Sequence, residues 1–179
     1  MRGEMVRAIL EGRKTQTRRI IKPQPINRAI CATNSMWYDA DHLTPGRLIK
    51  PKYGAPSDRL WVRETFSMQP KSWAGDKLHY RADSEPDDVC LWTPSIFMPR
   101  RASRITLEIV AVRVERLHEI TQADAKAEGS MPDYAHRCAD LGHPYDAMWL
   151  YAKLWDSINA KTHPWSSNPW VWVIEFKRV

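Results

Sequence analysis

The chain has 179 residues, and its 27 lysines and arginines exceed its 21 aspartates and glutamates by 27 − 21 = 6 charges. This length is enough for a domain with its own core, and we predict one domain over residues 1–179. The basic balance is compatible with a nucleic-acid or nucleotide partner, although many unrelated soluble proteins share it. No stretch approaches the ~18 apolar residues of a membrane span, and the charged start of the chain lacks the apolar run of a signal peptide. We therefore expect a cytoplasmic protein with no membrane partner.

The cysteines and histidines predict neither a disulfide framework nor a metal site. Cys31, Cys90 and Cys138 are odd in number and widely spaced, and they form no C-x-x-C pair. His136, Cys138 and His143 fall within eight residues, but no fourth ligand is evident. We therefore expect a reduced environment, no metal and no cofactor.

The opening segment predicts a short helix followed by a strand. Apolar residues at positions 5, 6, 9 and 10 share one helical face, and Gly12 stands where a C-cap glycine belongs. Residues 15–21 have the composition of a β-strand, which stops at two nearby prolines. Residues 26–57 show no sustained period and carry several prolines and glycines typical of turns. We therefore predict a long loop insertion at residues 26–57, with Trp37 in that loop.

The middle of the chain predicts three strands and a second insertion. Residues 60–66 are rich in β-branched and aromatic side chains, and residues 77–81 alternate between apolar and charged. Residues 83–103 contain several prolines, so we predict a second loop insertion there. Residues 104–117 give the clearest strand pattern, because apolar and polar side chains alternate before a fully apolar stretch.

The last third predicts two helices and a final strand. Thr121 resembles a helix N-cap with an acid at the third helical position, and the helix is expected to end near Gly129. Residues 145–160 have the longest helical pattern, with Trp149 on the apolar side, and residues 170–177 predict a buried strand. Because short strands outnumber helices, we predict an α+β fold, a small β-barrel with peripheral helices.

The run GRKTQTRR at residues 12–19 is the most informative segment for function. A desolvated lysine can act as base for a threonine nucleophile, and the same lysine can instead hold a phosphate. A solvated basic strand face is the simpler interpretation, with Thr15 and Thr17 as ordinary strand residues. A regular strand would send Lys14 and Thr17 to opposite faces. A catalytic contact between them therefore requires a turn at Lys14, which Gly12 would allow.

Three motifs in register resemble an ASCH domain, of the PUA-like superfamily of small β-barrels associated with RNA. They are the G-x-K-T-x-T-x-R run at residues 12–19, the segment ITQADAKAEG at residues 120–129 and the terminal VIEFK at residues 173–177. Three further segments are similar to longer ASCH proteins common in phage and prophage genomes. They are MVRAIL at 5–10, MPRRASR at 98–104 and NPWVW at 168–172. The resemblance covers nearly the whole chain and implies a PUA-like barrel.

Within this family, one small bacterial branch hydrolyses N4-acetylcytidine to cytidine and acetate with a Lys, a Thr and a Glu. Position by position, the resemblance implies Lys14 as general base, Thr17 as nucleophile and Glu128 as proton donor. It implies a metal-independent amidohydrolase for N4-acetylcytidine or related N4-acylated cytidines, as nucleosides or within modified RNA. Burial beside Arg18 or Arg19 is expected to lower the pKa of Lys14 toward neutrality. Glu128 must carry a proton to donate it, although it has a simpler interpretation as a polar residue at a helix end.

We predict that four residues bind the substrate: Arg18, Arg63, Glu64 and Arg104. Glu64 could compete as the acid or bind a base edge, whereas a structural Arg–Glu ion pair is the simpler interpretation. The basic cluster at residues 100–104 is suited to phosphate contacts, as are many exposed basic loops.

Two other functions would use the same residues. An RNA-binding module of PUA-like type without catalysis would contact the phosphate backbone through five basic residues: Lys14, Arg18, Arg19, Arg100 and Arg104. A ribonuclease would use lysine-assisted attack of a ribose 2′-OH on its neighbouring phosphate. Amidohydrolase, binding module and ribonuclease all remain open at the level of the sequence.

Overall fold

The structure is a computed structural model that describes residues 3–26, 28–32, 36–41, 44–68, 78–83, 91–129 and 146–179. These residues form a mixed α+β fold in which a curled antiparallel sheet makes a half-barrel with a few helices around it. The helices are α1 (Gly3–Leu10), α2 (Gln122–Ala127) and α3 (Ala147–Asn159). The strands are β1 (Gln16–Ile20), β2 (Arg28–Ala32), β3 (Met36–Asp41), β4 (Thr44–Ile49), β5 (Arg59–Trp61), β6 (Phe66–Ser67), β7 (His79–Tyr80), β8 (Thr106–Arg116) and β9 (Trp170–Arg178).

The half-barrel sheet has the strand order β1-β9-β8-β5, and every pair of neighbours is antiparallel. β9 lies inside this order, and its residues 171–174 form an apolar run that is buried throughout, as expected for a strand covered on both faces. The strands predicted at residues 104–117 and 170–177 are confirmed to within two residues at each end. They form the longest pairing of the sheet.

The N-terminal prediction is also confirmed. α1 buries Val6, Ala8 and Ile9 on one face, and β1 follows within the residues predicted as a strand. β1 pairs with β9 in a register that sets Thr17 opposite Ile174. The motif at residues 12–19 therefore runs along one side of the half-barrel.

The predicted loop insertion at residues 26–57 is wrong, because its described part contains a three-stranded antiparallel sheet of β2, β3 and β4. Trp37 of β3 is buried rather than in a loop, and its ring meets that of Trp172 edge to face at 6.0 Å. Ile49, the last residue of β4, joins the same hydrophobic cluster. Burial against the half-barrel stabilises these short strands, whose sequence alone has no clear period.

The two helices after β8 differ in how well their sequence predicted them. The N-cap at Thr121 is confirmed, and Asp124 completes a reciprocal pair with it: Thr121 Oγ accepts from Asp124 N, and Asp124 Oδ2 accepts from Thr121 N, each at 3.1 Å. α3 forms where predicted, but Trp149 is not on its apolar side. Trp149 is 49% exposed, and the buried face carries Leu150, Tyr151 and Trp155.

The remaining predictions need smaller corrections. The strand predicted at residues 60–66 divides into β5 and β6, and the one predicted at 77–81 is the short β7. The described part of the predicted loop at 83–103 holds two 3-10 turns, at Ser95–Phe97 and Arg100–Ala102. Within the described ranges, no helix is long and apolar enough to cross a membrane.

A test of the β8 register uses two neighbouring residues with opposite environments, Ile109 in the core and Val110, which is 51% exposed at an irregularity of the pairing. Ile109→Ala should lower the free energy of unfolding by about 2–5 kcal/mol, because it leaves a cavity in the core. Val110→Ala should change it by less than about 0.5 kcal/mol. Urea denaturation measures both, and equal losses would contradict this register.

Candidate functional site

The segment between α1 and β1 places Lys14 beside the end of α2. Gly12 has a positive φ of 75°, which suits a glycine ending a helix. Lys14 N donates to Ala8 O at 2.9 Å, and Thr15 N donates to Ala127 O at 2.9 Å. An antiparallel bridge then joins the backbones of Lys14 and Glu128.

Gly129 makes this close approach possible. Its φ is 76°, and a Cβ at this position would lie 2.9 Å from Lys14 Cβ and 3.0 Å from Ala8 Cβ, closer than side-chain carbons pack. A larger residue would therefore push the end of α2 away from Lys14. The glycine keeps the two sequence motifs, 114 residues apart, in contact.

Lys14 is buried and its amino group has three acceptors. Nζ donates to Gln16 O at 2.9 Å, to Glu128 O at 2.6 Å and to Glu128 Oε2 at 3.1 Å. Both side chains of the ion pair are 5% exposed. Three acceptors match the three N–H groups of an ammonium, so this geometry holds Lys14 in place on two backbone carbonyls and one carboxylate.

The pKa of Lys14 lies below the ordinary lysine value. Its burial has the largest effect and lowers the pKa, because an ammonium loses its hydration there. The Glu128 charge and hydrogen bond oppose this change, and the charges of Arg19 and Arg18 add to it. The direction agrees with the one expected from the sequence.

Arg18 connects Glu128 to two further carboxylates. Its side chain is fully buried; Nη1 lies 3.4 Å from Glu128 Oε1, and Nη2 lies 3.0 Å from Glu115 Oε2 and 3.3 Å from Asp124 Oδ2. Arg113 extends the network by contacting both Glu115 and Asp124. The Glu128 carboxylate is therefore held between two cations, one on each oxygen.

Thr17 shares a pocket with Lys14 but is not hydrogen-bonded to its amino group. Both residues line the pocket, yet no hydrogen bond joins Thr17 Oγ to Lys14 Nζ among the described residues. Burial alternates from Lys14 through Gln16 and Arg18, whereas Thr17 is half-buried, as expected for opposite faces of an extended chain. The hydrogen bond that a catalytic contact between Thr17 Oγ and Lys14 Nζ requires is therefore not formed in the described structure.

The pocket has a volume of about 490 Å³, within the usual range for sites that bind small molecules. Its lining residues are Met5, Lys14, Thr17, Arg18, Arg19, Ile20, Lys22, Ile49, Lys50, Lys52, Tyr53, Glu128, Tyr151, Leu154, Trp155, Ile158, Asn159 and Trp172. The lining combines aromatic rings and aliphatic side chains with six basic residues and a single acid. The structure therefore brings all three predicted catalytic residues, together with Arg18, to one cavity.

No sequence motif points to Tyr151 and Trp155, which α3 contributes to the pocket. Burial raises the pKa of Tyr151 well above its ordinary value, and the charge of Glu128 acts in the same direction. The phenol consequently stays protonated and keeps its hydrogen to donate. Helical spacing was the available signal, because Ala147, Leu150, Tyr151 and Trp155 share one buried face.

Three residues predicted to bind substrate lie elsewhere. Arg63, Glu64 and Arg104 do not line this pocket. Glu64 is buried and accepts from Arg104 Nε and Nη2, both at 2.9 Å, while Arg63 lies over the ring of Trp61 at 4.6 Å. The geometry favours a structural ion pair, with Arg104 rather than the adjacent Arg63 as the partner of Glu64. Of the four residues predicted to bind substrate, Arg18 alone is at the pocket.

The loose metal-like group of His136, Cys138 and His143 lies outside the described residues. Within the described part of the chain, no group of three or more His, Cys, Asp and Glu residues is arranged to hold a metal ion.

The buried pair can be tested by a double-mutant cycle. Lys14→Met should destabilise the fold by about 3 kcal/mol, because it leaves a buried carboxylate with one cation fewer. Lys14→Met/Glu128→Gln should lose at least about 1 kcal/mol less than the sum of the two single variants, because it removes both charges.

The matched control is the exposed pair Lys177–Glu108, with Nζ 2.8 Å from Oε1. Its cycle should give a coupling below about 1 kcal/mol. Urea denaturation measures both cycles, and strictly additive losses at Lys14 and Glu128 would contradict a direct interaction.

Comparisons with known proteins leave the family open. No family model, no curated protein and no solved structure matches this chain. The resemblance to ASCH domains remains a prediction that rests on the three motifs. The function proposed below therefore depends on those motifs and on the geometry of the pocket.

Proposed function

We propose that the protein is an amidohydrolase that cleaves the N4-acyl amide of N4-acetylcytidine, or of a related N4-acylated cytidine, to cytidine and a carboxylate. The observation that carries the proposal is the buried 3.1 Å contact between Lys14 Nζ and Glu128 Oε2 in the wall of a pocket of nucleoside size. We also propose that the chain is an ASCH domain, so that its half-barrel sheet corresponds to a PUA-like barrel.

The contact between Lys14 and Glu128 can supply both a base and an acid. When one proton crosses it, an ammonium and a carboxylate become an amine and a carboxylic acid, and the total charge does not change. Burial favours this transfer because it lowers the pKa of Lys14. The nearby guanidinium of Arg18 acts in the opposite sense by stabilising the carboxylate.

In the acylation step, Thr17 Oγ transfers its proton to the Lys14 amine and attacks the acyl carbon, whose carbonyl electrons move to oxygen. The intermediate collapses, the C–N bond breaks and Glu128 gives its proton to the departing N4. A water then attacks the acyl ester, passing a proton to Glu128 while the Thr17 oxygen regains one from Lys14. The products are cytidine and a carboxylic acid, and the amine and acid forms are restored.

The mechanism requires one rearrangement. Lys14 Nζ must exchange a backbone acceptor for Thr17 Oγ when the substrate binds. Catalytic hydrogen bonds are often long in unliganded sites and tighten only in the complex. The phenol of Tyr151 is the proposed donor to the acyl oxygen, because it lines the same pocket and stays protonated.

Nucleotide or RNA binding without turnover is the second candidate. The observation that favours it is the set of three acceptors around Lys14 Nζ, which stabilises the ammonium rather than the amine. Under this function Lys14 would hold the pocket together and the ligand would leave unchanged. Hydrolysis assays separate the two candidates.

Purified protein is expected to convert N4-acetylcytidine to cytidine and acetate with EDTA present. Thr17→Val keeps the side-chain shape but removes the nucleophile, so it should lower kcat by about 1000-fold or more. Thr15→Val is the matched control, because Thr15 is exposed and does not line the pocket. Chromatography of the products measures both, and full activity in the Thr17 variant would remove it as nucleophile.

The pH dependence of the reaction tests Lys14 as base. The reactive amine and acid forms of Lys14 and Glu128 share one proton, so kcat/KM should fall as the pH rises through the pKa of Lys14, which lies below the ordinary lysine value of ~10.4. Above that pKa the pair has lost the proton that must reach N4. Lys14→Arg should abolish the activity at every pH, because a guanidinium keeps its proton and cannot accept one from Thr17. A wild-type profile that keeps rising through the alkaline range would contradict this role.

A further inference from the structure

We propose that the mouth of the pocket binds a phosphate, so that a nucleotide or a residue of an RNA strand binds more tightly than the free nucleoside. The phosphate site is the cationic rim, defined as Arg19, Lys22, Lys50 and Lys52. The inference rests on the proposed function for the nucleobase in the pocket, and it adds the group that the rim recognises.

The cations inside the pocket wall are already neutralised. Lys14, Arg18 and Arg113 form ion pairs with four carboxylates, those of Glu115, Asp124, Glu128 and Glu175. Three positive groups therefore face four negative ones within hydrogen-bonding distance. This inner network leaves little net positive charge for a ligand.

The cationic rim differs from the inner network in its exposure and in its lack of carboxylate partners among the described residues. Arg19, Lys22, Lys50 and Lys52 are exposed and line the pocket. Among the described residues, none of them forms an ion pair with a carboxylate. They come from separate segments, the end of β1, the turn that follows it and the residues after β4, and they meet at one cavity. Four positive charges around one opening, without a carboxylate partner in the described part of the chain, attract an anion.

The other residues of the pocket lining indicate which kind of anion binds there. Trp155 and Trp172, both buried, line the pocket together with Ile20 and Leu154, so part of the wall is aromatic and apolar and suits a flat base. Lysine and arginine are the usual partners of phosphate oxygens. A flat ring joined to an anion through a sugar, as in a nucleotide, matches both parts of the lining.

The test compares the binding of four nucleoside 5′-monophosphates with that of their parent nucleosides, by calorimetry at low and at raised salt. Each monophosphate should bind at least about tenfold more tightly than its nucleoside, and the advantage should shrink as salt screens the charges. A short single-stranded RNA identifies the source of the phosphate. Tighter binding of the RNA than of any monophosphate indicates a strand, and equal or weaker binding indicates a mononucleotide.

The variant Lys50→Gln/Lys52→Gln should lose most of the phosphate advantage while binding nucleosides as before. Arg59→Gln/Arg101→Gln is the control, because both arginines are exposed, lie outside the pocket lining and carry the same total charge. The control should keep the advantage. Circular dichroism of both variants checks that each is folded.

Equal affinity of nucleosides and monophosphates, absence of binding by all probes, or equal losses in the two double variants would each overturn the proposal. If the proposed function is wrong but the phosphate site exists, the measurements give a different result. In that case the phosphate advantage would persist without a preference for cytosine and without hydrolysis of N4-acetylcytidine.

Discussion

The contact between Lys14 and Glu128 is the constraint on which the site depends. It joins the segment after α1 to the end of α2 twice, through a backbone bridge and through a buried ion pair. A buried charge without its partner would be costly, so the two segments must stay together for the fold to be stable. Gly129 is required for the same reason, because any side chain there would strike Lys14 and Ala8.

Stability and the candidate chemistry therefore share the same groups. Arg18 fixes the Glu128 carboxylate from one side while Lys14 holds it from the other. This arrangement orients the carboxylate through side chains of β1 and of the segment before it. It also opposes proton transfer, since each cation stabilises the charged form of Glu128. For a catalytic role, substrate binding must therefore weaken contacts of Lys14 and Glu128 that stabilise the folded state.

The sequence predicted what local pattern and motif similarity can carry. α1, β1, β8, β9 and the N-cap at Thr121 followed from periodicity and composition, and the motif resemblance pointed to Lys14 and Glu128 as neighbours. The sheet of β2 to β4 was missed because its strands are short and β4 contains Pro45 and Gly46, which usually mark turns.

Contacts between residues far apart in the chain were the other feature that the sequence could not predict. The partner of Glu64 is Arg104, which is 40 residues away, whereas the sequence predicted an Arg–Glu ion pair without fixing which arginine forms it. The cationic rim was also out of reach, since it depends on where the missed sheet packs. That sheet rests on the half-barrel through Trp37 and Trp172, and Lys50 and Lys52 follow its last strand. Lys50 and Lys52, half of the residues proposed to recognise a phosphate, thus belong to a different part of the chain from the groups proposed to react. A change in this sheet would therefore alter part of the proposed phosphate site while leaving Lys14, Thr17 and Glu128 in place.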